Sequence, residues 1–178
     1  LALNPGKHDR NRLAALIWPE DALDLARHAL RTLLWQINQT PLGGYIIADR
    51  QHVRLKDEDV WIDVAQLQDG LVVCEAQGPE EVCETCATCL REALELRRGR
   101  FLEGFSLKES VEFEQWKRLA GEELRSRLSQ ALADLVSAYR TTGATEKAIT
   151  LAQRRIEIDP LNEPAHQTLM QLYIDNDQ

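Results

Sequence analysis

The sequence predicts a mainly α protein in two parts: two short helices joined by a turn and followed by a β-hairpin, then an all-helical body. Three observations carry this. Apolar residues recur at three- to four-residue spacing through most of the chain, and two short β-type runs, YIIAD and HVRL, flank Arg50-Gln51. A 34-residue period also relates Leu135 to Leu169 and Tyr139 to Tyr173.

Pro5-Gly6 is a break, after which Arg12 to Trp18 (RLAALIW) forms a short apolar helical patch stopped by Pro19. Asp21 is the expected N-cap of the next helix. Leu23, Ala26, Leu30, Leu33 or Leu34, and Ile37 recur as its buried face, with Asp24, Arg27, His28, Arg31 and Trp35 largely opposite. Trp35 is expected to pack in the core or at a domain interface, because a large indole favours burial. Thr40 to Gly44 (TPLGG) ends the helix, and the two β-type runs make a hairpin. WIDVAQLQDGL reads as helix, and Gly78-Pro79 is a second break. Glu80 to Arg98 follows as one helix, Gly99 to Ser106 as a turn anchored by Phe101 and Phe105, and Lys108 to Arg140 as one long helix or two shorter ones. Thr141-Thr142-Gly143 ends that segment, Glu146 to Ile158 is helical up to Asp159-Pro160, and Glu163 to Tyr173 is the last helix.

The 34-residue spacing is the tetratricopeptide period. Counting back from Pro160 puts Leu132, Leu135, Tyr139, Ala148 and Ala152 where that repeat packs helix against helix. Such pairs bury apolar faces on their neighbours and generate a curved stack with a concave surface. Generic helical hairpins are the competing reading, since upstream only Phe101 and Phe105 keep the register.

At 178 residues, 44% apolar and 28% charged, the chain has the make-up of a soluble globular protein of one domain or two small ones. No run approaches the roughly 18 apolar residues of a membrane span, and the first twenty residues lack the pattern of a signal peptide, so a cytoplasmic location is expected. The chain starts on LAL and ends on YIDNDQ without an initiator Met, which suggests a piece of a longer protein with further domains. The net charge of −8 is unevenly distributed. Up to Lys56 there are eight Lys and Arg against five Asp and Glu, a net +3, while the remainder carries −11. A basic head on an acidic body suggests two modules, of which the first suits phosphates; an uneven scatter of solvated charge is the alternative.

Cys74, Cys83, Cys86 and Cys89 form C-x8-C-x2-C-x2-C, the one arrangement with metal-ligand spacing. On a regular helix Cys83 and Cys89 diverge by about 120° around the axis, which opposes a tight site, and Cys86 shares a face with Leu90 and Ala93. Metal, a disulfide after oxidation, and small buried thiols all remain open, with thiols the preferred reading and no cofactor expected. There is no glycine-rich phosphate loop, no Gly-x-Ser-x-Gly and no paired-His helix motif, and His8, His28, His52 and His166 are scattered. Enzymatic activity is not expected.

RNRLAALIWPED resembles the second helix and following turn of an OmpR/PhoB-type winged-helix DNA-binding domain, LDLARHALRTLLWQI its recognition helix, and GGYIIADRQHVRL its wing. RGRFLEGFSLKES, FEQW and DPLNEPAHQTLMQLY resemble the bacterial transcriptional activator domain that follows in regulators of the Streptomyces antibiotic regulatory protein type. The resemblance implies a truncated winged helix-turn-helix over residues 1–60, its first strands and helix missing apart from LAL. A TPR-like activator domain would occupy residues 61–178. It further implies a transcriptional activator that binds promoter DNA, engages RNA polymerase, and often acts as a dimer; some relatives are segments of larger multidomain regulators. Residue by residue, Arg27, His28 and Arg31 would face the major groove, with Thr32 a weaker contact. Arg50, Gln51 and His52 would lie at the wing tip, and Lys7, Arg10 and Arg12 near phosphate. Pairing of Arg27 and Arg31 with Asp24 or with acids of the helical part is the structural alternative. At the level of function the alternative is a protein-interaction module that does not read DNA.

Overall fold

The computed structural model describes residues 1–56, 60–75 and 84–176. The chain is mainly helical, with a small antiparallel sheet near the N-terminus, and divides into two compact units. One comprises Leu1–Ala65 with Arg100–Ala120, the other Gln66–Gly99 with Gly121–Gln178.

The first unit runs β1 (His8–Asp9), α1 (Arg10–Ile17), α2 (Leu23–Asn38), a tight 3-10 turn (Pro41–Tyr45), β2 (Ile46–Ala48) and β3 (His52–Leu55). The Asp9 carboxylate accepts the N–H groups of Asn11 and Arg12 at 2.8 and 3.0 Å, which satisfies orphan donors at the start of α1. The turn of residues 18–22 then brings α2 back across α1, and Ala14, Ala26 and Leu30 are buried between them with Leu13, Trp18 and Leu34 at the margin. Asp21 does not cap α2. The N-cap is Ala22, without a side-chain bond, and the helix start instead has Asp24 in its first turn, where negative charge is stabilised by the positive end of the helix dipole. Leu23, expected on the buried face, is 49% exposed, because at the first position of the helix no preceding turn covers it.

At the far end of α2, Thr40 donates to the carbonyl of Ile37 at 2.6 Å and accepts the N–H of Leu42 at 3.2 Å. Here Gly43 is required by space: a Cβ would stand 2.5 Å from the backbone Cα of Asn38. This close return sets up the hairpin. β2 and β3 pair with Ile46 opposite Leu55 and Ala48 opposite Val53, and β1 adds on the other side of β3, giving the order β1-β3-β2. β1 was not anticipated from the sequence. Only two residues long, it has no alternation to read, and its existence depends on the exposed edge of β3.

Residues 100–120 contribute an aromatic cluster: Phe101 meets Trp116 edge-on at 5.9 Å, Phe105 meets Phe113 at 5.7 Å, and Phe113 lies 5.4 Å from Trp116. Glu114 fastens the preceding loop by accepting from Leu107 N–H at 2.8 Å and the Ser106 hydroxyl at 3.0 Å, while Lys117 pairs with it at 2.7 Å and donates to the Phe105 carbonyl. The Lys117 bond, then that of Leu107, holds the Glu114 carboxyl below its ordinary range. Ser110 is fully buried. Its hydroxyl donates to the Leu16 carbonyl at the end of α1 (2.7 Å) and accepts the Phe113 N–H (3.0 Å), so one side chain both caps a helix and ties two segments of this unit.

α3 (Asp63–Glu75) and α5 (Val111–Thr141) each begin in the first unit and continue in the second, which also holds α4 (Glu84–Leu96), α6 (Thr145–Ile158) and α7 (Glu163–Asp175). The segment from Lys108 thus contains one long helix rather than two. In the second unit Leu71, Leu90, Leu94, Leu128, Leu132 and Ile158 form one buried cluster. Val136, Tyr139, Ala148, Ala152 and Leu172 form another, so the alanines expected at packing positions of α6 are buried. Gly143, at φ +73°, ends α5, and Asn162 caps α7 by accepting the Ala165 N–H at 3.0 Å. Arg125 pairs with both Glu122 and Asp159, and the Glu122 bond chiefly raises its pKa. Among the described residues no helix is long and apolar enough to cross a membrane.

Candidate nucleic-acid interface

α2 is amphipathic in the literal sense. With Ala26 and Leu30 buried and Leu33, Leu34 and Ile37 half-buried, the 100° step per residue places His28, Arg31, Thr32 and Trp35 in one stripe at the i, i+3, i+4, i+7 spacing. All four are exposed, as is Arg27 beside them. Within the stripe, Arg31 Nη2 lies 2.7 Å from His28 Nδ1. A guanidinium only donates, so in this contact Nδ1 is the acceptor. The Thr32 hydroxyl donates to the His28 carbonyl at 3.1 Å. Among the described residues neither Arg27 nor Arg31 forms an ion pair, with Asp24 or with any other acid. Their charge is therefore available to an external anion.

The hairpin turn is the second feature. Asp49 accepts the backbone N–H groups of Gln51 and His52, both at 2.7 Å, an Asx-type closure that a short acid makes possible. These bonds, the one from Gln51 first, hold the Asp49 carboxyl below its ordinary range, with smaller help from the charges of His52 and Lys7. Arg10 belongs to the same feature: its Nη1 donates to the Asp49 carbonyl at 2.8 Å and its backbone N–H to the Gln51 carbonyl at 2.9 Å. It braces the turn. Arg50 and the Gln51 side chain are left exposed at the tip, whereas His52 opens β3 opposite Asp9, with its Nδ1 3.7 Å from Asp49. Arg12 and Lys7 are exposed.

Two contributions escaped the sequence reading. Trp35, expected to be packed away, is 64% exposed at the C-terminal end of the α2 stripe; its helical phase relative to Ala26 and Leu30 was the available signal, overridden by the general preference of indole for burial. Asp49 was legible as an Asx-turn residue in ADRQ but carried no role. The four-cysteine arrangement cannot be placed, because Cys83 and the side chains of Cys74 and Cys86 lie outside the described residues; Cys89 is a half-buried free thiol.

Residues 62–178 match the family described as the bacterial transcriptional activator domain, which is about two thirds of the chain. The chain belongs to that family. No curated protein matches it. The match covers α3 to α7, including the aromatic cluster and both buried clusters of the second unit, and stops short of α1, α2 and the hairpin. The family is one of transcription-regulator domains rather than of enzymes.

Proposed function

We propose that the protein is a DNA-binding transcriptional activator of the cytoplasm. In this reading α1, the turn, α2 and the three-stranded sheet act as a winged helix-turn-helix. Arg27, His28, Arg31 and Thr32 read the major groove, while Arg50, Gln51 and His52 of the wing, with Arg12 and Lys7, meet phosphate or the adjacent minor groove. The observation that carries it is the α2 stripe: cationic and polar side chains exposed in one row, free of acidic partners, on a helix whose opposite face is fixed by packing. Arg31, held beside His28, is disposed for a guanine edge, and Arg50 at a turn tip for a phosphate. The division of labour follows: phosphate contacts set affinity and salt dependence, base contacts set sequence.

The family domain would act as a TPR-like platform that engages RNA polymerase, a second copy, or other domains of a longer parent chain. Exposed Met170 (59%) and Ile174 (67%), one turn apart on α7, favour this, since adjoining apolar side chains on a helix face are what a protein partner buries. They equally favour the second reading, an interaction module that reads no DNA.

The two readings separate in one experiment. The full chain is used to select duplexes from a random-sequence pool, and the winners are titrated between about 50 and 200 mM salt. The activator reading expects a defined motif and a steep salt dependence. Arg50→Ala should lower the salt slope by about one while keeping the motif, and Arg31→Ala should relax preference at one position. Binding without sequence preference, or indifferent to Arg27→Ala and Arg31→Ala, overturns it in favour of the interaction module.

A further inference from the structure

Trp35, like Leu25, is an α2 residue whose exposure neither stability nor the charged contacts explain, and unlike Leu25 it lies in the row of His28, Arg31 and Thr32. It is 64% exposed, and among the described residues its indole makes no ring contact and no hydrogen bond. Its position is nonetheless fixed: Leu34 and Ile37, on either side of it in sequence, are half-buried against the body of the unit, so the helix cannot roll to hide it. It follows His28 by seven residues, Arg31 by four and Thr32 by three, which makes it the next member of the same row.

Resting on the DNA-binding reading above, we propose that Trp35 is a specificity-determining residue that recognises a thymine through its 5-methyl group in the major groove. The chemistry is direct. A thymine methyl is the one apolar feature of the major-groove edge, and apolar side chains read it by contact. An indole supplies a large rigid apolar face at little cost in side-chain entropy, together with one N–H that only donates and therefore suits a neighbouring phosphate oxygen. The adjoining charges favour a polyanion over an apolar protein surface, since Arg27 and Arg31 have no carboxylate partners and would have to be desolvated against a protein patch. Asp24, one turn before His28 on the same side, is the only acid of the helix, and it lies at the opposite end of the row from Trp35.

The test uses the full chain and a duplex it has selected from a random pool. Each thymine of the site is replaced in turn by uracil, which deletes only the methyl group, and affinity is measured for the wild type, Trp35→Ala and Trp35→Phe. One thymine is expected at which the wild type loses roughly fourfold in affinity on methyl deletion, the worth of one buried methyl-sized group. Trp35→Ala should bind more weakly and show no loss at that position, and Trp35→Phe should restore part of it. Circular dichroism of the variants checks that α2 is intact. If the wild type selects a motif but Trp35→Ala keeps the same thymine-to-uracil profile, the inference fails while the DNA-binding reading stands. If Trp35→Ala leaves DNA affinity unchanged and instead shifts the sedimentation coefficient, Trp35 serves association between copies and the inference likewise fails. If the wild type selects no motif, it is the DNA-binding reading that fails, and this inference with it.

Discussion

Replacing Ser110 by alanine should loosen the start of α5 (Val111–Thr141) and its tie to α1 (Arg10–Ile17) together, because one hydroxyl serves both. The side chain is 1% exposed, so water cannot take its place without opening the site. Losing a serine N-cap costs about 1 kcal/mol. Losing the donor to the Leu16 carbonyl, 2.7 Å away, adds about 1 kcal/mol for a part-buried hydrogen bond. The sum, about 2 kcal/mol, corresponds to roughly a thirtyfold increase in the local opening equilibrium. Amide hydrogen exchange is the suitable assay, since it reads Phe113 N–H individually and does not require the two units to unfold as one. Exchange at Phe113 should accelerate by that factor in Ser110→Ala. Ser110→Asp separates the terms: its carboxylate still caps Phe113 but cannot donate to Leu16, so the Phe113 amide stays protected while global stability drops. Unchanged exchange at Phe113 in Ser110→Ala would show that the cap contributes nothing and that the packing of Phe113 on Phe105 and Trp116 alone holds the helix start.

The hairpin turn has a pH signature. Asp49 has its carboxyl lowered by the Gln51 and His52 amides, so its stabilising effect is fully present above the ordinary aspartate pKa and is lost as pH falls through the lowered value; the amide shifts of Gln51 and His52 should titrate with that lowered midpoint, and a midpoint at or above the ordinary one refutes the closure. Gly43→Ala puts a Cβ 2.5 to 2.8 Å from three backbone atoms of Asn38 and should destabilise the first unit by about 1–3 kcal/mol in a urea titration, whereas a Cβ at Gly44 meets nothing and Gly44→Ala should be close to neutral. Equal effects at the two glycines would mean that the return of the chain on α2 is not sterically set.

What could be read in the sequence depended on whether local pattern or long-range contact decides the element. α2 and the helices of the second unit were legible because each buries a stripe against a neighbour, and a 3.6-residue period survives in the sequence wherever that is so; Leu132, Tyr139, Ala148 and Ala152 are buried for that reason. The hairpin was legible from two β-branched runs around a polar turn. β1 was not, since a two-residue strand exists only because β3 has an edge to offer. The cap of α2 was misassigned by one position because Asp21 and Ala22 are both compatible with a helix start and only the folded backbone chooses between them.

The candidate site divides along the same line. Which residues are exposed on α2 follows from phase, and so Arg27, His28 and Arg31 could be named in advance. Which of the basic residues are free to meet an anion could not, because that depends on partners distant in sequence. Arg10 lies 39 residues from the Asp49 carbonyl that engages it, and nothing in RNRLAALIW announces the bond. Arg10 thus braces the turn that carries Arg50 and Gln51, and of the three cations near the start of the chain Lys7 and Arg12 make no such bond among the described residues. Trp35 is the converse case: its phase in α2 was visible, but a preference averaged over many proteins pointed inward. If α2 meets DNA as proposed, that average is the wrong guide there, because an exposed indole held by a rigid helix is costly to leave in water and gains most when something covers it.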